Sequence, residues 1–189
     1  MPVTALDPQT ALVVIDLQKG IVGSNFIQPI AEVIERNRSL IAAFRQRDLP
    51  IVFVNVAGGA PGRTEQPRPQ RTLVEGWTDL IPELDANPED IRVTKHTWGA
   101  FASTDLDDRL KQKGVTQVVV TGVATGTGVE STARQAYELG YNVTLVTDAM
   151  TDARPEAHAY SLKHVFPRLG ETGTTQEIIE LLAARSVLK

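Results

Sequence analysis

Residues 115–140, VTQVVVTGVATGTGVESTARQAYELG, decide the fold of this chain. The run 118–120 is apolar and β-branched, which is typical of a strand buried on both faces of a parallel sheet. Three glycines follow within seven residues and allow a sharp turn and a close approach to a ligand: Gly122, Gly126 and Gly128. From Val129 the apolar residues recur at helical spacing until Gly140, which suits a helix C-terminus. A strand, a glycine turn and a helix start together predict a corner whose N–H groups can bind an anion.

Composition narrows the class of protein. A chain of 189 residues, with 42% hydrophobic residues and a net charge of −4, predicts a single globular domain over residues 1–189. Its Lys and Arg residues form no basic stripe, so we expect no nucleic-acid partner. The chain has no cysteine, which excludes disulfides, thiolate metal sites and a cysteine nucleophile. The N-terminus does not resemble a signal peptide and no apolar run is long enough to span a membrane, so we expect a cytoplasmic protein without a membrane partner.

Further apolar runs bounded by turn residues predict the remaining strands, at residues 11–15, 51–56, 91–94, 142–147 and, more weakly, 168–171. Helical patterns lie between them: one starts at Pro29, one after Ser103 or Thr104, one runs from Pro155 to Pro167, and a capping box at 174–177 opens the last. This alternation predicts a three-layer α/β/α sandwich with a Rossmann-like, mainly parallel, six-stranded sheet. Residues 57–76 show no periodicity, which is typical of a lid, an oligomer contact or a disordered loop.

Three chemically useful features follow three different strands. Asp16 follows the first strand, Lys95 follows the third, and the glycine turn at 122–128 follows the fourth. In an open parallel sheet, ligands bind outside the carboxyl ends of the strands, near the point where strand order reverses. We therefore expect a carboxylate, an ammonium group and a set of backbone N–H groups to meet at one edge of the sheet.

Three motifs carry a resemblance to a known family. The segments VVIDLQ, TKHTWGAF and TGVATGTGVESTARQAYELGYNVTLVTDA resemble the isochorismatase-like hydrolases, also called cysteine hydrolases, and the likeness covers nearly the whole chain. Most members have an Asp–Lys–Cys triad, which implies that Asp16 and Lys95 are catalytic and that Gly128 stands at the nucleophile position. The resemblance also implies a cis peptide between Val123 and Ala124, and an oxyanion hole formed by the N–H groups of Ala124 and Gly128.

Gly128 has no side chain, so the covalent thiol chemistry of amide-cleaving members cannot take place here. Thr125 and Thr127 carry hydroxyls nearby, but the sequence shows no base directed at either one. Isochorismatases proper resemble this chain in having glycine at that position: an acid protonates the vinyl carbon of a vinyl ether, and water captures the oxocarbenium ion. They also have a glutamine at the end of the second strand, where this chain has Val56. The sequence therefore predicts a family hydrolase without a covalent nucleophile and with a substrate other than isochorismate.

Under this scheme Asp16 is the general acid or base, and Lys95 holds a substrate carboxylate or stabilises developing negative charge. Burial would raise the pKa of Asp16 and a nearby Lys95 would lower it, and the sequence does not decide between them. We expect a small-molecule substrate, with a carboxylate as one option. Four residues are candidates for its pocket, the aromatic ones being equally compatible with the core: Phe26, Trp98, Phe101 and Thr125.

No metal or other cofactor is expected. Nicotinamidase-like relatives bind zinc through an Asp and two His beside the second strand, but residues 55–63, NVAGGAPGR, contain neither. The three histidines lie far apart in the sequence, and His158 and His164 are spaced so that they would not chelate one ion on a helix. Surface or structural roles are expected for them.

Two other functions remain open. Residues 126–131, GTGVES, nearly match the dinucleotide fingerprint G-x-G-x-x-G, and Asp148 follows about twenty residues later, where a ribose-binding acid belongs. A serine replaces the third glycine, and the motif follows the fourth strand instead of the first. The chain is alternatively a pseudoenzyme that binds a metabolite without turning it over. Relatives form dimers and tetramers, so we also expect a homo-oligomer.

Overall fold

The computed structural model describes residues 2–66 and 73–184, which contain one six-stranded sheet with every strand parallel. The strands are β1 (Thr10–Ile15), β2 (Ile51–Val56), β3 (Ile91–Lys95), β4 (Gln117–Val123), β5 (Asn142–Thr151) and β6 (Glu171–Gly173). Their order across the sheet is β3-β2-β1-β4-β5-β6. The chain moves from β1 to β2 and β3 on one side, and continues with β4 on the other. Strand order therefore reverses between β1 and β4, where a crevice for ligands is expected.

Helices cover both faces of this sheet. They are α1 (Lys19–Val22), α2 (Ile30–Arg45), α3 (Leu106–Gln112), α4 (Glu130–Glu138), α5 (Pro155–Tyr160), α6 (Phe166–Leu169) and α7 (Thr175–Ala184). A 3₁₀ turn occupies Pro82–Leu84, and π-helical turns occupy Thr125–Val129 and Ser161–Val165. This arrangement confirms the predicted α/β/α layers. In the part of the chain that the structure describes, no helix is both long and apolar enough to cross a bilayer.

The central strand β1 explains why helices pack on both faces of the sheet. Its alternate side chains point to opposite sides, so Val13 packs in one core with α3 and α4, while Leu12 packs in the other with α2 and α7. Every residue of β1 is buried. A continuous apolar run of this kind requires two helical layers.

The structure corrects several predicted boundaries. The sixth strand is Glu171–Gly173 and not 168–171, and β5 continues to Thr151 and does not end at 147. The single helix predicted from Pro155 to Pro167 is instead divided into α5, a π-helical turn and α6. The capping box is confirmed, since the Thr174 N–H donates to Glu177 Oε2 over 2.7 Å. Of the predicted lid or contact loop at 57–76, residues 67–72 lie outside the described residues.

Candidate active site

Asp16 follows β1 directly and is held by backbone contacts. Its φ of 53° is left-handed, a conformation that aspartate adopts more readily than most residues. Its N–H donates to the carbonyl of Val54 over 2.8 Å, and its own carbonyl accepts from the Gln18 N–H over 2.9 Å. The side chain is 8% exposed. The end of the strand therefore presents the carboxyl to the crevice in one fixed position.

Lys95 ends β3, two strands away from β1, and its side chain reaches Asp16. Lys95 Nζ lies 2.8 Å from Asp16 Oδ2 and 3.4 Å from the carbonyl oxygen of Thr97. Only 2% of the Lys95 side chain is exposed. The structure thus joins two residues separated by 79 positions in the sequence, as the strand-end argument predicts. The Lys95 ammonium is directed to the Asp16 carboxylate, which makes it a less available partner for a substrate anion.

The glycine turn after β4 completes the arrangement. Gly122 has a φ of 102°, and a Cβ atom there would overlap the backbone of Ile15, so glycine is required for β4 to lie against β1 at this point. The peptide between Val123 and Ala124 is cis. The Ala124 carbonyl then accepts the N–H groups of Thr127 and Val129, at 3.0 and 3.1 Å. These bonds fix the π-helical turn that carries Gly128.

Gly128 lies against the carboxyl of Asp16. A Cβ atom at Gly128 would lie 3.1 Å from Asp16 Oδ2, 3.0 Å from Ile15 Cγ2 and 3.2 Å from the Val123 carbonyl oxygen. These distances are at the tight end of carbon contacts, so a side chain here would press on the carboxyl group. With glycine at this position, none of these three atoms has to shift.

A cavity of about 470 Å³ opens over these groups. Seven of the residues predicted for the site line it: Asp16, Phe26, Lys95, Trp98, Val123, Ala124 and Gly128. It is also lined by Ile21, Ser24, Val56, Thr97, Thr127 and Ala153. The cavity therefore combines a buried ion pair, backbone groups of the turn and a largely apolar wall.

Two residues predicted for the pocket lie elsewhere. Phe101 is buried in the core between the sheet and α3, with its ring centroid 5.8 Å from that of Tyr141. Thr125 is fully buried, and its Oγ1 lies 2.8 Å from Nδ1 of His158 on α5. Neither residue lines the cavity over Asp16. The Thr125–His158 contact could not be predicted from the sequence pattern, and this contact occupies the Thr125 hydroxyl outside the cavity.

Electrostatics make Asp16 unusual among the carboxylates. Burial raises the pKa of the Asp16 carboxyl from its ordinary 3.8 to about 6, although the charge and hydrogen bond of Lys95 act in the opposite direction. Asp16 Oδ1 is buried and has no hydrogen-bond partner among the described residues. One carboxyl oxygen is thus bound to Lys95, and the other is left for a ligand or a proton.

Two buried polar residues that the sequence did not single out support the site. Gln18 binds the end of β2 through both amide atoms: its Oε1 accepts the Val56 N–H over 2.7 Å, and its Nε2 donates to the Val56 carbonyl over 3.1 Å. Asp152, 1% exposed, accepts the Gly126 N–H over 2.8 Å. Gln18 follows Asp16 closely and could have been found as a polar residue beyond a strand end. Asp152 was hidden because the predicted end of β5 lay four residues too early.

Other candidate ligands have structural roles. Within residues 2–66 and 73–184, no group of three or more His, Cys, Asp and Glu side chains could hold a metal ion. His158 is buried against Thr125, and its burial lowers its pKa. Asp148, the candidate ribose-binding acid, caps α7, since its Oδ1 accepts the N–H and hydroxyl of Thr175 over 2.7 and 3.0 Å.

Comparison with known proteins identifies the family of this chain. Residues 10–177 match the model of the isochorismatase domain. The chain belongs to the isochorismatase family. The isochorismatase family protein YwoC of Bacillus subtilis is 41% identical over 179 residues, which cover 91% of this chain and 93% of YwoC. The structure of an isochorismatase family protein from Burkholderia thailandensis superimposes with a TM-score of 0.91, at 41% identity, over 95% of this chain and 98% of that one.

A more distant relative has a named reaction. The ureidoacrylate amidohydrolase RutB of Stutzerimonas stutzeri is 29% identical over 185 residues, which cover 82% of this chain and 75% of RutB. The relatives with named reactions are hydrolases, and the chain is an isochorismatase-family hydrolase.

Proposed function

We propose that this isochorismatase-family hydrolase cleaves a small molecule without a covalent enzyme intermediate, with Asp16 as general acid. The observation that carries the proposal is the state of the Asp16 carboxyl. Its pKa of about 6 leaves part of the population protonated near neutral pH, and its Oδ1 has no hydrogen-bond partner among the described residues. A general acid works best when its pKa lies near the working pH.

Vinyl-ether hydrolysis fits such an acid. Asp16 transfers its proton to the terminal carbon of the double bond, whose electron pair forms the new C–H bond. The ether oxygen stabilises the resulting cation as an oxocarbenium ion. Water adds to the cationic carbon and returns one proton to the Asp16 carboxylate. The hemiketal then collapses to a carbonyl compound and an alcohol, so that one water molecule is consumed and the acid is regenerated.

The other groups of the site have supporting roles in this proposal. Lys95 keeps the Asp16 carboxyl oriented through its 2.8 Å contact and limits the rise of its pKa. The N–H groups of Ala124 and Gly128, whose residues line the cavity, would hydrogen-bond an oxygen of the substrate as an oxyanion hole does. Phe26 and Trp98 supply the apolar wall. No step needs a side chain at Gly128.

The test is hydrolysis of 2-alkoxyacrylates with methyl, cyclohexyl and phenyl groups, followed as release of the 2-oxo acid. Asp16→Asn should lower kcat/KM at least about 100-fold, the usual contribution of a general acid. Asp90→Asn is the matched control, because Asp90 also has a mostly buried carboxylate, 2.9 Å from Arg45, and does not line the cavity. Wild-type kcat/KM should fall as pH rises through about 6, since the acid form is lost.

Two results would remove the proposal. If the wild type released product no faster than Asp16→Asn, Asp16 would not act as an acid catalyst. Activity that rises through pH 6 would assign Asp16 the role of base for an attacking water, as in the cleavage of an amide. This second outcome is included because the relative RutB is an amidohydrolase.

A metabolite-binding pseudoenzyme is the second candidate, favoured by one observation. By the resemblance to cysteine hydrolases, Gly128 stands at the nucleophile position, and the chain contains no cysteine. In that case the cavity would bind the same alkoxyacrylates with Asp16 intact, and no product would form at any pH. Binding together with Asp16-dependent turnover would rule this candidate out.

A further inference from the structure

Arg154 is a cation beside the cavity that the proposed mechanism does not use. It lies between β5 and α5, and its neighbour Ala153 lines the cavity. Arg154 Nη2 donates to Thr127 Oγ1 over 2.9 Å, and Thr127 also lines the cavity. The Arg154 side chain is 60% exposed. Its guanidinium group therefore contacts a residue of the cavity wall and remains largely exposed to solvent.

The charge inside the cavity makes this position significant. Among the described residues that line the cavity, Lys95 is the one cation, and it already binds Asp16 over 2.8 Å. A substrate anion that took Lys95 would leave the Asp16 carboxylate buried without its partner, which is costly. An anionic group of the substrate is therefore better placed at Arg154 than at Lys95.

Arg154 is also held in place before any ligand binds. Asp152 Oδ1 accepts the Arg154 backbone N–H over 2.9 Å and its Nε–H over 3.4 Å. Asp152 Oδ2 accepts the Gly126 N–H, so the same carboxylate fixes the turn of the site. The hydrogen bonds that Arg154 donates use its backbone N–H, Nε and Nη2. A planar guanidinium with its stem fixed and its side chain largely exposed is suited to bind a carboxylate.

We propose that Arg154, supported by Thr127, binds a carboxylate of the substrate at the mouth of the cavity and selects anionic over neutral substrates. This inference rests on the proposed function for the reaction itself, since it places the substrate's charged end at Arg154 and its reacting bond at Asp16. It changes the expected role of Lys95, which serves the acid and not the substrate carboxylate.

Binding measurements test the inference without needing turnover. The probes are benzoate, succinate and N-carbamoylglycine, each beside its primary amide, with affinities measured by ligand-observed NMR, in which any hydrolysis is visible. Wild type should bind at least one carboxylate more tightly than its amide. Arg154→Gln should weaken that carboxylate about 10-fold to 100-fold and the amide less than 2-fold, because a hydrogen bond to a charged group is lost only in the first case.

Two further variants separate recognition from structure. Arg154→Lys keeps the charge but not the planar pair of donors, so its affinity for the carboxylate should lie between wild type and Arg154→Gln. Arg38→Gln is the matched control, since Arg38 is 54% exposed and paired with Glu35 on α2, and it should change neither affinity. A general disturbance of the fold would weaken carboxylates and amides alike.

The outcomes of this experiment distinguish the two proposals. No preference for any of the three carboxylates in wild type, or an equal loss for both members of a pair in Arg154→Gln, overturns the role of Arg154 and leaves the proposed hydrolysis standing. Conversely, a carboxylate preference that depends on Arg154, in an enzyme that hydrolyses no alkoxyacrylate, supports the role of Arg154 and overturns the proposed reaction.

Discussion

The stability of the protein should depend on pH through Asp16, and Asp16→Asn should remove that dependence. The folded protein holds the Asp16 proton up to a pKa of about 6, whereas the unfolded chain releases it near 3.8. Because the folded-state pKa is raised, the contribution of Asp16 to the unfolding free energy is fully present below pH 3.8. This contribution is lost as the pH rises through about 6. The whole shift corresponds to about 3 kcal/mol of unfolding free energy.

Most of this change in unfolding free energy falls within a pH range in which unfolding can be measured. Between pH 4.5 and 7.5 the linkage relation gives about 2 kcal/mol. Urea unfolding at both pH values, followed by circular dichroism, gives the unfolding free energies of wild type and Asp16→Asn. The value for Asp16→Asn minus that for wild type should increase by about 2 kcal/mol from pH 4.5 to 7.5, since all other titrating groups are shared. A difference that stays constant, or that decreases, would refute the burial argument.

Lys95 needs its own control, because Asp16→Asn leaves its ammonium without a carboxylate. The control compares the single variant Lys95→Met with the double variant that also carries Asp16→Asn, by urea unfolding at the same two pH values. Neither of these proteins has the Lys95 ammonium. The charge of Lys95 lowers the Asp16 pKa, so its loss should make the pH-dependent difference larger than 2 kcal/mol. A smaller difference would contradict the assignment of the pH dependence to the buried Asp16 carboxyl.

Two glycine substitutions, with Gly140→Ala as a control, test the packing around Asp16 and the end of β1. Gly128→Ala should change the unfolding free energy by less than about 1 kcal/mol, because the better helix propensity of alanine offsets the crowding. The new Cβ would lie 3.1 Å from Asp16 Oδ2 and should nevertheless lower kcat more than about 10-fold. An unchanged kcat would contradict this geometry. Gly122→Ala should cost more than about 3 kcal/mol in urea unfolding, because its Cβ would overlap the backbone of Ile15. Gly140→Ala, also at positive φ but with no atom within 4 Å of the new Cβ, should cost only about 1 kcal/mol, and equal losses would disprove the overlap.

The sequence was sufficient to find the ion pair. Asp16 and Lys95 each end a short apolar strand, and the carboxyl ends of parallel strands must meet at one edge of the sheet. This reasoning needs only the strands and their direction, which the periodicity supplies. Side-chain direction in irregular segments has no such rule. Trp98 and Phe101 follow Lys95 closely, and yet Trp98 lines the cavity while Phe101 packs on Tyr141 in the core.

The positions of the strand ends were the second limit on predicting the site from the sequence. The pattern predicts that the fifth strand ends before Asp148, but β5 continues to Thr151 past a register shift against β4. The acidic residue at the true strand end is therefore Asp152. Asp148 instead caps α7. An error of four residues at one boundary hid both Asp152 and the neighbouring Arg154, although the reasoning from strand ends was sound.

The two cations near the cavity differ in burial, and this difference decides their roles. Lys95, 2% exposed, has given up its hydration, and its ammonium stays within 2.8 Å of Asp16. Arg154, 60% exposed, keeps most of its hydration and can exchange water for a substrate carboxylate at little cost. Exchanging these roles would leave a buried carboxylate unpaired whenever substrate bound. Under the two proposals, the pKa of Asp16 stays near 6 and the substrate anion binds away from the acid, so that binding the substrate does not break the Asp16–Lys95 pair.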